Sequence, residues 1–271
     1  MLIGIGATKE LNLRVSVATL ARVLFEHPGD GELMLALERK ATLLDGEGGP
    51  FVGVKAQPFG GAIQLPDPIA LQNLIGDFHF DSEQSRSEQD FRIFIQPSAW
   101  ETVREFCLHH FDQANNLVLE SDPRRELVEE FAEALEISLK PDQFIYKLVR
   151  TVIENAPSPT DNVYARGSLT VRVYRIFEAR ILDLSLARTM LTNSGSYSNE
   201  DLQQLAFKDY QNGGPGWANA VLALPLKQIS AFYLAASPEA RNRPLSFQNY
   251  LLDETVAVVL DGIPVPKYRR L

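Results

Sequence analysis

Apolar and polar positions in the first 65 residues follow the patterns of β-strands. Residues 13–27 are rich in apolar and β-branched side chains, and the turn sequence PGDGE separates them from a second apolar segment, residues 33–41. Residues 51–65 alternate loosely and contain the pair Gly60-Gly61. A loosely alternating segment that ends in glycines indicates a strand followed by a turn. The N-terminal part of the chain is therefore expected to form successive strands.

Residues 67–116 mix helical and extended patterns, which predicts a self-contained insertion of mixed structure. The sequence DPIALQNLIG favours a short helix, with Asp67 as N-cap and Pro68 at the first helical position. Residues 81–90, DSEQSRSEQD, are polar throughout and predict a mobile loop. The sequence DFRIFI, which begins at the end of that loop, indicates a short strand.

Residues 97–111 carry apolar side chains at helical intervals. Ser98 is followed by Glu101 at the spacing of a capping box, which predicts the beginning of a helix. The helix would end at His109 and His110, whose position favours an interaction with the helix dipole. Ligation of a metal by these histidines is the alternative.

The sequence SDPRRELVEEFAEALEI, residues 121–137, has the clearest helical pattern in the chain. Glu126, Glu129, Glu130 and Glu133 recur at i, i+3, i+4 and i+7, so their carboxylates share one face, and apolar residues occupy the other. Like charges at i and i+4 destabilise a helix by about 0.2–0.5 kcal/mol per pair. That face is therefore expected to be covered either by water or by something positive.

The second half of the chain also alternates between helical and extended patterns, which is typical of an α/β protein. Residues 141–156 could form a helix or a strand, and a helix is favoured for their second half. The other predicted elements are a strand at 168–182, a helix at 198–211 capped by Ser198 or Asn199, a strand at 218–226 that continues into a helix, and a strand in the sequence ETVAVVLDGIPV near the C-terminus.

Two short motifs resemble the Nudix box, G-x5-E-x7-R-E-U-x-E-E-x-G-U, in which U is aliphatic. The run Arg125-Glu126-Leu127-Val128-Glu129-Glu130 resembles its second half, and Pro58-Phe59-Gly60-Gly61 resembles the glycine turn that opens it. With the strand patterns, the resemblance extends from about residue 13 to residue 235. It implies an α/β fold with a mixed β-sheet sandwiched between helices, formed by residues 1–271 as a single Nudix-like domain. Residues 67–116 would then be inserted inside the box.

The resemblance implies a metal site on the acidic helix. Glu126, Glu129 and Glu130 would bind Mg²⁺ or Mn²⁺, and Glu126 and Glu129 are candidates for orienting or deprotonating an attacking water. Arg125 would brace the loop and the helix by pairing with a carboxylate. The chemistry is consistent, because hydrolysis of a diphosphate needs a cation to neutralise it and to activate water. Carboxylate oxygens are also the ligands that Mg²⁺ prefers.

Substrate contacts are implied at the glycine turn and on a later strand. Gly60 and Gly61 would let the backbone bend beside the metal and the phosphates of a small-molecule nucleotide derivative. Arg172 alternates with Val171 and Val173 along the predicted strand, so it lies on the opposite face from them. Such an arginine could clamp a phosphate with two hydrogen bonds. It could equally belong to the solvent face of a sheet.

Several positions depart from the Nudix pattern. Gly61 stands 64 residues before Arg125 instead of fourteen, so about fifty residues are inserted. Leu117 occupies the position of the first box glutamate, for which Glu120 could substitute, and Ala132 replaces the last glycine. Three interpretations follow: a metal-dependent hydrolase of nucleoside-diphosphate-linked substrates, a catalytically inactive Nudix-like protein that recognises a nucleotide or protein partner, or an unrelated α/β protein.

Composition and charge limit the binding partners and the cellular location that are expected. The 271 residues are 45% hydrophobic and 23% charged, with a net charge of -9, which argues against binding to nucleic acid or to an anionic membrane. The single cysteine, Cys107, allows no intrachain disulfide and favours a reducing, cytoplasmic location. No signal peptide or apolar run of about 18 residues is present, so no membrane span is expected. Apolar surface on the insertion could form a homodimer interface.

Overall fold

The computed structural model describes residues 12–44, 51–111, 118–120, 122–140, 142–154, 156–160, 162, 165–260 and 268–270. The strands are β1 (Leu13–Glu26), β2 (Leu33–Leu44), β3 (Phe51–Gln57), β4 (His79–Phe80), β5 (Arg92–Ile95), β6 (Phe144–Glu154), β7 (Ser158–Pro159), β8 (Leu169–Ile181), β9 (Trp217–Pro225), β10 (Leu245–Phe247), β11 (Tyr250–Leu252) and β12 (Tyr268–Arg270). The α-helices are α1 (Pro68–Ile75), α2 (Glu83–Glu88), α3 (Trp100–Phe111), α4 (Pro123–Leu135), α5 (Leu184–Ser196), α6 (Asn199–Gln211), α7 (Leu226–Ala235) and α8 (Thr255–Val259).

These elements fall into two compact units. The first comprises the described parts of Met1–Ala18, Ala62–Asp122 and Ile153–Val173, and the second those of Thr19–Gly61, Pro123–Val152 and Tyr174–Leu271. The segment predicted as an insertion, residues 67–116, lies within the first unit. Its description as an insertion in a single domain stays a prediction. None of the helices in the described ranges is long and apolar enough to cross a membrane.

The first unit is built on an antiparallel pairing of β5 with the beginning of β1. Leu13 pairs with Ile95 and Ser16 with Arg92, and β4 adds to the other side of β5. Apolar residues of α1 and α3 pack on these strands because they recur on one helical face. Cys107 of α3 is buried in this core. This core includes Val15, Val17, Phe91, Ile93, Val103, Phe106 and Val171.

The second unit is organised around β2. Its strands follow the order β10-β11-β3-β2-β1-β8-β6, and β9 also pairs with β2. β1, β3 and β9 are antiparallel to β2, whereas β11 is parallel to β3, so the sheet is mixed. In this register Glu38 lies opposite Gln57 of β3 and Lys40 lies opposite Asn219 of β9.

The alternation of side chains along β2 decides which residues reach α4. Ala36 belongs to the core formed with α4 and α5, whereas Leu37 belongs to the core formed with α7 and α8. Helices therefore cover both faces, and the predicted mixed sheet between helices is confirmed. Because successive strand residues point to opposite faces, Glu38 and Lys40 lie on the same face as Ala36. This is the face that α4 covers.

Most predicted elements are confirmed. β1, β2, β5, β8, β9, α1, α4, α6 and α7 all lie where the sequence patterns place them. Asp67 caps α1 by accepting from the amides of Ile69 and Ala70, and Ser198 caps α6 in a reciprocal capping box with Asp201. Helix α5 is an additional element that the sequence patterns did not indicate.

Four local predictions are wrong. Residues 81–90 contain helix α2, which Ser82 caps at its start. The second half of 141–156 is strand β6, because pairing in the sheet overrides local helical preference. The strand predicted near the C-terminus begins as helix α8, and residues 261–267 lie outside the described ranges. Ser98 is not the N-cap, since it lies inside a 3₁₀ turn, Pro97–Ala99, whose N-cap is Gln96.

Candidate active site

The glycine turn after β3 packs directly against α4. Phe59 is fully buried, and its ring centroid lies 4.8 Å from that of Phe131 on α4. The carbonyl of Phe59 accepts from the amide of Ala21 at 2.7 Å, and the carbonyl of Gly61 accepts from the amide of Thr19 at 3.0 Å. These contacts fix the turn between β1 and the helix.

Two carboxylates of α4 converge on this turn. The amide of Gly60 donates a hydrogen bond of 2.5 Å to Oε2 of Glu130. The carboxylate of Glu126 lies so close to the α-carbon of Gly61 that a Cβ atom there would overlap it. Glu126 and Glu130 share a helical face at i, i+4 spacing. The motif therefore places both carboxylates against the backbone of the glycine turn.

Arg125 and Glu129 form a second group on the same helix. Arg125 makes an ion pair with Glu126, and its Nη1 also donates to Oε2 of Glu129 at 2.9 Å. The side chain of Glu129 is 55% exposed. Its carboxylate thus faces Arg125, whereas those of Glu126 and Glu130 face the glycine turn. The metal-binding and catalytic roles of Glu129 and the bracing role of Arg125 stay predictions.

A third carboxylate reaches the site from the sheet. Glu38 of β2 is 1% exposed, and its Oε2 accepts from Nε2 of Gln57 at 2.8 Å. Its Oε1 has no hydrogen-bond partner in the described part of the chain. The sequence interpretation did not select Glu38. The signal that could have found it is the charged run Glu38-Arg39-Lys40 in the middle of an otherwise apolar strand.

The carboxylates are close enough to influence one another. The pKa of Glu130 is raised well above its ordinary value of 4.5, first by burial and then by the negative charge of Glu38. The hydrogen bond from Gly60 and the positive charge of Lys40 oppose this rise. Burial also raises the pKa of Glu38, against the effect of Lys40. The site therefore contains carboxylates that hold their protons more tightly than usual.

A family model described as the SMODS-associated NUDIX domain matches residues 12–202. The chain belongs to this family. No curated protein and no solved structure matches the chain. The match includes the glycine turn, α4 and β2, and it excludes the interpretation as an unrelated α/β protein.

Membership in the NUDIX family raises the question of whether these residues suit a divalent cation. Within the described ranges, no three or more His, Cys, Asp or Glu side chains are grouped so that they could hold a metal as they stand. The donor chemistry nevertheless suits Mg²⁺ or Mn²⁺, which proteins commonly bind through one or two carboxylates, with waters and substrate phosphates completing the shell. Glu126 and Glu130 would supply these two carboxylates, and Oε1 of Glu38 is a further oxygen that accepts no hydrogen bond from the described residues.

Arg172 belongs to the first unit, whereas α4 belongs to the second. It is 7% exposed, so its assignment to the solvent face of a sheet is wrong. Its Nη1 lies 2.9 Å from Oε2 of Glu154 and 2.7 Å from Oγ of Ser158. Its role as a phosphate clamp stays a prediction.

The position of the first box glutamate is only partly described. Leu117 lies outside the described residues. Glu120 lies in the first unit, where its amide donates to the carbonyl of Gln64 at 3.0 Å. Its substitution for the first glutamate stays a prediction. His109 and His110 occupy the last turn of α3, as expected.

The two glycines of the turn are expected to respond differently to alanine. Gly60 has φ +143°, and a Cβ there would overlap backbone atoms of Thr19 and Leu20, which cannot move aside. Gly60→Ala should therefore lower the free energy of unfolding by about 1–3 kcal/mol. At Gly61 the added methyl meets the flexible end of Glu126. Gly61→Ala should leave stability within about 1 kcal/mol but displace the carboxylate and weaken Mg²⁺ binding. Urea unfolding measures the stability of each variant, and calorimetry measures its Mg²⁺ affinity. Equal losses of stability in Gly60→Ala and Gly61→Ala would contradict the prediction.

The raised pKa of Glu130 makes stability depend on pH in the cation-free protein. The unfolded chain releases this proton near 4.5, whereas the folded protein keeps it to a higher pH. The free energy of unfolding should therefore fall as pH rises from 4.5 through the raised pKa of Glu130. Glu130→Gln can still accept from Gly60 but does not ionise, so it should melt at a higher temperature at neutral pH. Thermal melts in EDTA across this range measure the effect, and an unchanged pH dependence in the variant would contradict it.

Proposed function

We propose that this protein hydrolyses the pyrophosphate bond of a nucleoside-diphosphate-linked small molecule with the help of Mg²⁺ or Mn²⁺. The observation that carries the proposal is the convergence of Glu126 and Glu130 on the Gly60–Gly61 turn. Because neither glycine has a Cβ atom, the turn packs closely against the backbone of Thr19 and the carboxylate of Glu126. The same turn lies beside carboxylates that suit a cation.

Each residue of the site has a role in this proposal. The cation, when bound, would neutralise the diphosphate and activate the attacking water. Glu126 and Glu130 would hold it, with the amide of Gly60 fixing one carboxylate and Arg125 fixing the other. A carboxylate with a raised pKa and an oxygen that accepts no hydrogen bond from the described residues suits a general base. We therefore assign Glu38 to accept a proton from the water.

The test is a turnover screen with the full chain. The protein would be incubated with Mg²⁺ and then Mn²⁺ against ADP-ribose, dinucleoside polyphosphates, NADH, nucleotide sugars and nucleoside triphosphates. Metal-dependent release of a nucleoside monophosphate, abolished by EDTA and by Glu130→Gln, is the expected result. The absence of turnover by folded protein that binds the metal would overturn the hydrolase proposal.

A binding or regulatory protein without catalysis is the second candidate. The observation that favours it is the position of Glu129, whose exposed carboxylate forms an ion pair with Arg125. A site with fewer carboxylates on the cation could recognise a nucleotide without cleaving it. Tight binding of one nucleotide from the same screen, recovered intact after incubation with Mg²⁺, would identify this function.

A further inference from the structure

Lys40 lies beside the carboxylates of the site and on the same face of β2 as Glu38. Its Nζ is 4.0 Å from Oε1 of Glu38 and 4.4 Å from the centroid of the Trp217 ring on β9. The lysine side chain is 25% exposed, and Trp217 is half-buried. The ammonium group is therefore held at the border between the buried carboxylates and solvent.

The donors of this ammonium group are not used within the described ranges. A separation of 4.0 Å is too long for a hydrogen bond, so Glu38 and Lys40 attract each other without one. The charge of Lys40 nevertheless opposes the rise that burial causes in the pKa of both Glu38 and Glu130. Lys40 thus places a positive charge in the site, and no described residue takes up any of its three N–H donors.

Two other basic residues of the second unit, Lys55 and Arg125, differ from Lys40 in this respect. Lys55 donates to Oδ2 of Asp253 at 3.0 Å, and Arg125 is engaged by two carboxylates of its own helix. The contact of Lys40 with Trp217 is a cation–π interaction, which fixes an ammonium group without occupying its hydrogen-bond donors. The aromatic ring therefore positions Lys40 and leaves it able to bind an anion.

We propose that Lys40 binds a phosphate oxygen of a diphosphate-containing ligand and that Trp217 positions its ammonium group. The proposal rests on the proposed function, because it names a residue that recognises the substrate of that site. A diphosphate that approaches Glu38, Glu126 and Glu130 is repelled by them. A divalent cation on Glu126 and Glu130 offsets part of this repulsion, and Lys40 supplies positive charge from the sheet side. An ammonium group is a compact point charge that binds phosphate well.

Calorimetry with methylenebisphosphonate, a diphosphate analogue that cannot be hydrolysed, tests the proposal without requiring turnover. The full chain would be titrated in saturating Mg²⁺ as wild type, Lys40→Met, Lys40→Gln and Lys40→Arg. Both neutral variants should bind about tenfold more weakly or worse, and Lys40→Arg should stay within about threefold. Lys227→Met, which removes a lysine at the start of α7, is the matched control and should bind like wild type.

A separate Mg²⁺ titration distinguishes ligand binding from a structural role. Removal of a positive charge beside the carboxylates should leave Mg²⁺ affinity equal or higher in Lys40→Met. If Lys40 only neutralised the carboxylates, its loss would change Mg²⁺ affinity and stability but not bisphosphonate affinity at saturating Mg²⁺. Trp217→Leu should give an intermediate loss of bisphosphonate affinity, because Lys40 keeps its charge but loses its support.

The outcomes separate this proposal from the proposed function. Wild-type affinity for the bisphosphonate in both folded neutral variants would overturn the role of Lys40, as would the absence of binding to wild type with Mg²⁺. Binding of the bisphosphonate that depends on Lys40, without turnover of any substrate, would support the role of Lys40 and refute the hydrolase proposal. Turnover with an unchanged KM in Lys40→Met would support hydrolysis and refute the role of Lys40.

Discussion

Replacement of Glu126 or Glu130 by Gln should lower kcat/KM on the order of 10³-fold, whereas replacement of Glu129 should lower it less than about tenfold. The structure separates these three glutamates of one motif. Glu126 and Glu130 face the glycine turn, and Glu129 faces Arg125 and solvent. Each variant removes one negative charge and keeps nearly the same shape.

Three measurements on each variant make this prediction specific. Steady-state kinetics on the best substrate of the screen would give kcat/KM, Mg²⁺ calorimetry would give cation affinity, and thermal melts would confirm folding. Glu133→Gln is the matched control, because Glu133 lies one turn further along the same helical face. Its carboxylate accepts from Nδ2 of Asn219 on β9 at 3.1 Å. It should behave like Glu129→Gln.

The result also decides between two ligand sets. The motif alone assigns Glu126, Glu129 and Glu130 to the cation, so it predicts comparable losses in all three variants. The geometry favours Glu126 and Glu130, with Glu38 of β2 near Glu130. A loss in Glu129→Gln as large as that in Glu130→Gln would mean that Arg125 releases Glu129 when the cation binds. It would contradict the two-carboxylate site proposed above.

The sequence predicts much of this site because its parts are local. The run from Arg125 to Glu130 has strong helical periodicity, and Gly60-Gly61 ends a strand pattern, so the local pattern alone is enough to recognise both. The long separation between them along the chain does not prevent their meeting. Phe59 and Phe131, one beside each motif, pack together in the core and bring the turn to the helix.

The residues that the sequence interpretation missed depend on pairing between strands. Glu38 and Lys40 become part of the site only because β2 lies beside β3 and β9 in a register that turns them toward α4. No local pattern fixes that register. The preference for a helix in the second half of 141–156 was wrong for a similar reason, since the place of β6 in the sheet overrides its helical pattern.

Arg172 shows that the pattern of a strand does not reveal whether a charged residue is exposed or buried. Alternation with Val171 and Val173 correctly suggests a strand, but it cannot tell a solvent face from a buried face that holds an ion pair. All three residues are buried. The deciding partner, Glu154, comes from another strand and was not selected from the sequence. The role of a charged residue in a strand can therefore be inferred only when its neighbours in the structure are known.

Replacement of Arg172 by Met should lower the free energy of unfolding by about 3–5 kcal/mol, because it leaves the carboxylate of Glu154 buried without its cation. Glu154 is 2% exposed, and its two oxygens lie 3.1 and 2.9 Å from Nη1 of Arg172. Ser158 donates to Glu154 at 2.5 Å but cannot compensate its charge. The double variant Arg172→Met/Glu154→Leu removes both charges and should recover most of the loss.

Urea unfolding followed by tryptophan fluorescence measures this effect in the relevant unit. Trp100 lies in α3 of the first unit and Trp217 in the second, so a Trp217→Phe background leaves Trp100 as the reporter. Arg166→Met, which removes an exposed arginine of the same unit, is the control and should change stability by less than about 1 kcal/mol. The phosphate-clamp role would instead be supported if Arg172→Met kept the stability of wild type but bound the bisphosphonate more weakly. Loss of a buried structural ion pair would lower the free energy of unfolding, which this result would not show.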